Sequence, residues 1–162
     1  DLTKESLFNI ILHSNKFNVK IKDANILDMF SGVGSFGLEC LSREASTVTF
    51  VENYEKVLRI LKKNISNINC LEKSKILEKD AFNQLDLNNL GNKFDIIFMD
   101  PPYKEKLLPE LLKKILEAKI LYKEGVVVIH RHKNENDNLD KFFNIIEEKN
   151  YGISKIIFGK FI

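Results

Sequence analysis

Asp100-Pro101-Pro102-Tyr103 stands directly behind the apolar run Phe94-Asp95-Ile96-Ile97-Phe98-Met99, so a carboxylate, two carbonyls and an aromatic face meet at a predicted strand end. These groups suit chemistry on an amino group attached to a flat ring. Such an amine is a poor nucleophile, because its lone pair is delocalised into the ring. If the Asp100 side chain and the Pro101 carbonyl accept its two N–H bonds, the lone pair is turned toward an electrophile and charge developing on nitrogen is stabilised. Tyr103 would stack on the ring and hold it. Pro101 and Pro102 shape the turn through their fixed φ and offer carbonyls without competing donors. The bland alternative is a proline turn closing a strand, and the grouping of an acid, two prolines and an aromatic weighs against it.

A second motif, Asp28-Met29-Phe30-Ser31-Gly32-Val33-Gly34-Ser35-Phe36-Gly37, follows another strand-like run. Its Gly32, Gly34 and Gly37 have the GxGxxG spacing. In an open parallel sheet the first strand-helix turn supplies the ligand crevice. Gly32 and Gly34 are expected to let backbone approach a ligand, and Gly37 to let the next helix pack closely. Dinucleotide enzymes share this spacing, so alone it is weak. A pyrophosphate favours a helix N-terminus open to anions, whereas Asp28 places a carboxylate there, which suits a cationic ligand carrying an amino group.

Glu52, at the end of Thr47-Val48-Thr49-Phe50-Val51, stands about 20 residues beyond the glycines, where an acid can accept ribose hydroxyls. That distance serves NAD and S-adenosylmethionine alike. Asp80 could hold an adenine amino group and Phe82 cover the ring, although Phe82 could equally belong to the core. Together the motifs read as a cofactor site beside a substrate site, that of an S-adenosylmethionine-dependent methyltransferase. The methyl group would pass from sulfonium to nitrogen in one in-line displacement, without a metal or covalent enzyme intermediate. No Ser-His-Asp or Cys-His arrangement is needed, and the sequence offers none.

The elements that must position these motifs alternate. Leu7, Phe8, Ile10, Ile11 and Leu12 pattern an amphipathic first helix. Strands are predicted at Ile26 to Phe30, Thr47 to Val51, Lys75 to Leu77, Phe94 to Met99 and Val126 to Ile129, the last introduced by Gly125 as a turn residue. Helices are predicted at Phe36 to Arg43, Glu55 to Asn67, Leu107 to Ile120 and Leu139 to Glu148. Wholly apolar strands separated by helices imply a parallel sheet covered on both faces, a doubly wound α/β fold. Tyr151 to Ile162 reads as an antiparallel terminal hairpin.

At 162 residues and 44% hydrophobic, the chain is expected to form one domain over 1–162. It begins at Asp1, already in a helical pattern, so a preceding N-terminal segment is expected to be missing. A formal charge of +2 neither demands nor excludes a polyanionic partner. Cys40 and Cys70 form no CxxC pair, which argues against a disulfide framework or zinc site and for a reducing, cytoplasmic setting. No apolar stretch approaches the roughly 20 residues a membrane helix needs. Nor do the histidines have a recognised metal-ligand spacing. Lys4, Lys16, Lys20, Lys22, Lys104, Lys106, Arg131, Lys133, Lys155 and Lys160 could track phosphates, or could form an ordinary solvated surface.

These residues resemble the bacterial 16S ribosomal RNA guanine-N2 methyltransferases of the RsmD type over nearly the whole chain. The likeness is carried by Glu5-Ser6-Leu7-Phe8-Asn9, by the loop from Asp28 to Arg43 with Gly37-Leu38-Glu39 and Leu41-Ser42-Arg43, and by Asp100 to Tyr103. The resemblance implies a Rossmann-like class I methyltransferase with a mostly parallel seven-stranded sheet and a C-terminal antiparallel hairpin. It implies S-adenosylmethionine contacts at Asp28, Phe30, Gly32 and Gly34, with Glu52 on the ribose and Asp80 with Ala81 at the adenine; Ser31, Asn53 and Phe82 are counted with these as cofactor-binding residues. Asp100, Pro101, Pro102 and Tyr103 would hold the target guanine, in ribosomal RNA or the small ribosomal subunit, and the protein is expected to be a monomer. The family commonly carries a basic hairpin and an Arg-Pro-Thr element ahead of the first helix, neither of which precedes Asp1. His130-Arg131-His132 stands where an acidic residue is expected. His130 could line the substrate pocket from the neighbouring strand end, but a strand-end histidine is more often simply solvated or packed, so it is not counted as catalytic. A DNA adenine-N6 methyltransferase is the alternative enzyme, but such enzymes usually carry a target-recognition insertion for which this chain has no room. A non-catalytic nucleotide-binding module is the alternative from another class.

Overall fold

A computed structural model describes residues 2–102, 106–139 and 141–162. The apolar runs become strands β1 (Asn25–Met29), β2 (Thr47–Val51), β3 (Ser74–Leu77), β4 (Phe94–Met99) and β5 (Leu121–His132), followed by β6 (Phe143–Tyr151) and β7 (Ser154–Phe161). They form a seven-stranded sheet in the order β3-β2-β1-β4-β5-β7-β6. Strands β1 to β5 pair in parallel, and β7 runs antiparallel to both β5 and β6.

Side chains alternate across a strand, so each wholly apolar run feeds two cores. Ile26, Val48, Phe50, Ile96, Phe98 and Val126 lie against helices α1 (Leu2–His13), α2 (Ser35–Ser42) and α3 (Glu55–Asn67). Leu27, Met29, Val51, Ile97, Met99 and Val127 face α4 (Leu108–Ala118) and the segment holding Ala81, Leu87 and Leu90. Fully burying one such side chain stabilises the fold by about 1.5–3 kcal/mol, and this burial holds both helical layers on the sheet.

The chain runs outward from β1 through β2 to β3, then returns to place β4 on the other side of β1. Loops leaving β1 and β4 therefore diverge from one rim, opening a crevice where the order reverses. Met29 and Met99 are register partners, so Phe30 and Asp100 leave the sheet side by side.

Helix α2 lies close on β2 because Gly37 has no side chain: a Cβ there would stand 2.4 Å from the Phe50 ring. Phe50 is fully buried and cannot yield. Gly37→Ala is expected to cost roughly 1–3 kcal/mol through overpacking, read as a lower urea midpoint; an unchanged midpoint would show that α2 can shift without penalty.

Three sequence expectations are corrected. Among the described residues, the stretch Leu139 to Glu148 is not a helix; it leads into β6, which pairs with β7 from Phe143↔Phe161 to Tyr151↔Ser154. The terminal hairpin therefore starts earlier than expected and turns at Gly152 and Ile153. Gly125 is not a turn before β5 but lies buried inside it, where a Cβ would meet the Leu121 side chain and the Asp95 carbonyl at 2.7 and 2.9 Å. The β4–β5 register shifts between Phe94 and Ile96 beside it, as a strand glycine at a close backbone approach allows. Helix α4 ends at Ala118, short of the expected Ile120, because Lys119 turns left-handed at φ 54° and its N–H closes on the Leu116 carbonyl.

Candidate active site

Asp28 lies in β1 with only 1% of its surface exposed. Its Oδ2 accepts the Gly37 N–H at 3.1 Å from the first turn of α2, while Oδ1 is buried without a partner. Burial pushes the carboxyl up to about 8, the Gly37 hydrogen bond opposes this, and the charges of Asp100 and Glu52 add to it. A carboxyl so destabilised as an anion gains most from a cation brought beside it.

The loop after Asp28 is shaped by three left-handed residues, Phe30 at φ 58°, Gly32 at 57° and Gly34 at 93°. Glu52, at the end of β2, organises it. Its Oε1 accepts the Gly32 N–H at 2.9 Å, and its Oε2 accepts those of Asn53 and Tyr54 at 3.0 Å. Glu52 is thus a pre-oriented acceptor with lone pairs to spare. At Gly34 a Cβ would meet the Leu61 side chain at 2.6 Å, so this glycine also leaves room for packing against α3. Gly32 is open, and a Cβ there would have no atom within 4 Å.

Two cavities adjoin at this rim. One, of about 340 Å³, is lined by Phe30, Glu52, Asn53, Asp80, Ala81 and Phe82, together with Asp100 and Pro102. The Phe30 and Phe82 rings meet there at 5.0 Å, so Phe82 lines the cavity as well as packing. Asp80 Oδ1 accepts the Phe82 N–H at 2.8 Å and holds this turn. The other cavity, of about 390 Å³, is lined by Asp28, Phe30, Ser31, Gly32, Asp100 and His130, with Thr3, Lys4 and Leu7 of α1 among the remainder. Ser31 Oγ, like Asp28 Oδ1, is buried there without a partner. Phe30 and Asp100 belong to both cavities.

Asp100 follows β4 with its side chain 50% exposed, Pro101 is buried and Pro102 exposed. Tyr103 lies outside the described residues. The site residue that sequence reasoning set aside is His130: its Nδ1 stands 3.2 Å from Asp100 Oδ1. Met99 and Ile129 are register partners, so the residue after each comes to the same rim. Strand order and register would have revealed the pair; local spacing, over 30 residues, does not.

Arg131 is corrected as a phosphate-tracking candidate. Its side chain is 1% exposed and engages Asp137 through Nε at 3.0 Å and Nη2 at 2.8 Å. Lys155 donates to the Glu135 carbonyl and Lys16 pairs with Glu147. These three contacts tie down loops and the edge strand. Lys104 lies outside the described residues.

A family model described as Conserved hypothetical protein 95 matches residues 1–160. The ribosomal RNA small subunit methyltransferase D of Haemophilus influenzae is 29% identical over 154 residues, 94% of this chain and 77% of that protein. The solved structure of the yhhF protein of Escherichia coli superposes with a TM-score of 0.83 at 27% identity, covering 98% of this chain and 85% of that one. A more distant solved structure, complexed with SAH, is 15% identical with a TM-score of 0.75 over all of this chain and 50% of that one, which establishes likeness of fold alone. With its sheet order, its glycine loop and a family match over almost its whole length, the chain has the class I methyltransferase fold and belongs to the Conserved hypothetical protein 95 family, the RsmD family.

Proposed function

We propose that this chain transfers the methyl group of S-adenosylmethionine to the exocyclic N2 of a guanine in small-subunit ribosomal RNA. The observation that carries the reading is the position of Asp100: an exposed carboxylate shared by two adjoining cavities at the sheet's switch point. The residues present fit the cofactor. Asp28 Oδ1 and Ser31 Oγ, buried and unpartnered, are acceptors suited to its amino group. Glu52 would take the ribose hydroxyls, and Asp80, Ala81 and Phe82 would surround the adenine. When bound, S-adenosylmethionine supplies an electrophilic methyl group on a sulfonium.

The chain's own residues supply orientation. Asp100, joined by the Pro101 carbonyl, accepts the N–H bonds of the guanine amine and directs its lone pair toward the cofactor side of the rim. Positive charge that develops on nitrogen falls beside the Asp100 carboxylate, which stabilises it. The free Asp100 oxygen can take the proton that nitrogen releases. Tyr103 is proposed to stack on the base once it has been splayed out of its loop. Between the glycine loop and Asp100 the structure has only α2, β2, α3, β3, β4, two single-turn 3-10 helices and their connecting loops, so no separate DNA-recognition domain is present there.

The chain is expected to label small-subunit RNA with tritiated methyl from the cofactor, and nucleoside mass spectrometry is expected to show N2-methylguanosine. Methylated adenine, or label only in DNA, would replace this acceptor with the other. Parallel incubations with bare RNA and with ribosomal particles identify which form is recognised.

A further inference from the structure

We infer that His130 is a positioning residue for Asp100: its Nδ1–H holds one carboxylate oxygen so that the other faces the incoming amine. This deepens the proposed function and rests on it. An ionised carboxylate only accepts hydrogen bonds, so the 3.2 Å contact to Asp100 Oδ1 requires the proton on Nδ1. Nε2 is buried without a partner, and a proton placed there would be a stranded donor. The Asp100 contact and the unpartnered Nε2 together select the Nδ1–H tautomer.

The geometry is asymmetric in rigidity. Asp100 stands past the end of β4 with half of its side chain exposed. An aspartate so placed, held by its own backbone alone, samples several rotamers. His130 lies within β5 and is the register partner of Ile156 on β7, one residue beyond the last β4–β5 pair, Met99↔Ile129. Its ring is 30% exposed and lines the cavity that also holds Asp28 and Ser31. A residue held in the β5–β7 ladder thus tethers one that stands past the end of its strand. With Oδ1 engaged by His130, Oδ2 is the oxygen left for the substrate, and its direction is set by the ring. This is how a supporting side chain converts a mobile carboxylate into an oriented one.

The test compares His130→Ala, His130→Asn and His130→Gln. An asparagine amide can reach where Nδ1 stood; a glutamine amide reaches toward Nε2. His130→Ala is expected to lower kcat on the order of 10–100-fold, as small misplacements of a reacting group do, with the KM for S-adenosylmethionine held within about twofold. His130→Asn should recover most of the loss and His130→Gln should not. Nitrogen NMR of the wild-type imidazole should show Nδ1 protonated and Nε2 bare, and this signature should be lost in Asp100→Ala. A His130→Ala enzyme as fast as wild type, equal defects in the asparagine and alanine variants, or a wild-type proton on Nε2 would overturn the inference. If the wild-type enzyme labels an acceptor other than guanine, the proposed substrate fails while the kinetic comparison is read on that acceptor. If it labels none, the NMR signature decides.

Discussion

Asp100→Ala is expected to lower methyl transfer by at least roughly 10²–10³-fold, the loss seen when one charge-stabilising group is removed from a reacting centre. S-adenosylmethionine binding should persist. The expectation of separable effects comes from the site's electrostatics. The charge of Asp100 is one of the causes that raise the Asp28 carboxyl, so its removal makes Asp28 easier to ionise and more receptive to a cationic ligand. Glu52, held by three backbone N–H groups, keeps its place without Asp100. Single-turnover transfer of tritiated methyl, beside calorimetric titration with the cofactor, measures the two effects separately. Transfer that survives in the variant would remove Asp100 from the mechanism; loss of binding together with transfer would make it a cofactor residue.

Asp28→Asn is expected to have opposite effects on stability and on binding. The folded-state carboxyl titrates near 8 against an ordinary value of 3.8, with burial as the main cause. Between those values the folded protein retains a proton that the unfolded chain has released. Stability contributed by the protonated group is therefore fully present below about pH 4 and is lost as pH rises through the folded value, by up to about 1.4 kcal/mol per pH unit. Asparagine does not titrate, and its side-chain oxygen can still accept the Gly37 N–H. The variant should accordingly gain stability over wild type progressively from about pH 4 to about pH 8, as seen in urea midpoints across that range.

Binding moves the other way. A cationic amino group beside Oδ1 requires the anion, so cofactor association should expel a proton near neutrality and strengthen as pH approaches about 8. Loss of a hydrogen bond to a charged group, about 1.5–3 kcal/mol, predicts roughly 10–100-fold weaker binding for Asp28→Asn and the disappearance of its pH dependence. Calorimetry in two buffers of different ionisation enthalpy counts the proton. Unchanged affinity with no proton released would take Asp28 out of the cofactor site and leave it a buried brace for α2.

The segment from Leu139 to Glu148 shows how a local pattern can mislead. Leu139, Phe142, Phe143 and Ile146 recur at helical spacing, and the strand that forms instead lacks a clean two-residue alternation. Its register shifts between Ile145 and Glu147, pairing Ile145 with Gly159 but Glu147 with Phe158. Such an irregularity resets which side chains face the core, so Phe143 is buried, Ile145 exposed and Ile146 packed on the opposite core. As the outermost strand, β6 is stabilised along its length by β7, a partner that no window of its own sequence contains. Gly125 misleads for a related reason. What decides its place is the Asp95 carbonyl on the neighbouring strand, not the residues beside it.

What the residues determined alone was everything that depends on near neighbours in the chain. The apolar runs at β1, β2 and β4, the glycine turn that closes on α2, and the acid-proline-proline grouping behind β4 each carry their physical reason within about ten residues, by side-chain alternation and backbone freedom. Tertiary structure decided what needs two distant segments at one rim. It buried Asp28 and left one of its oxygens without a partner, used Glu52 to brace the glycine loop, withdrew Arg131 into an ion pair, and set His130 against Asp100. The sheet order brings β1, β4 and β5 side by side, and only that packing converts residues scattered along the chain into one site.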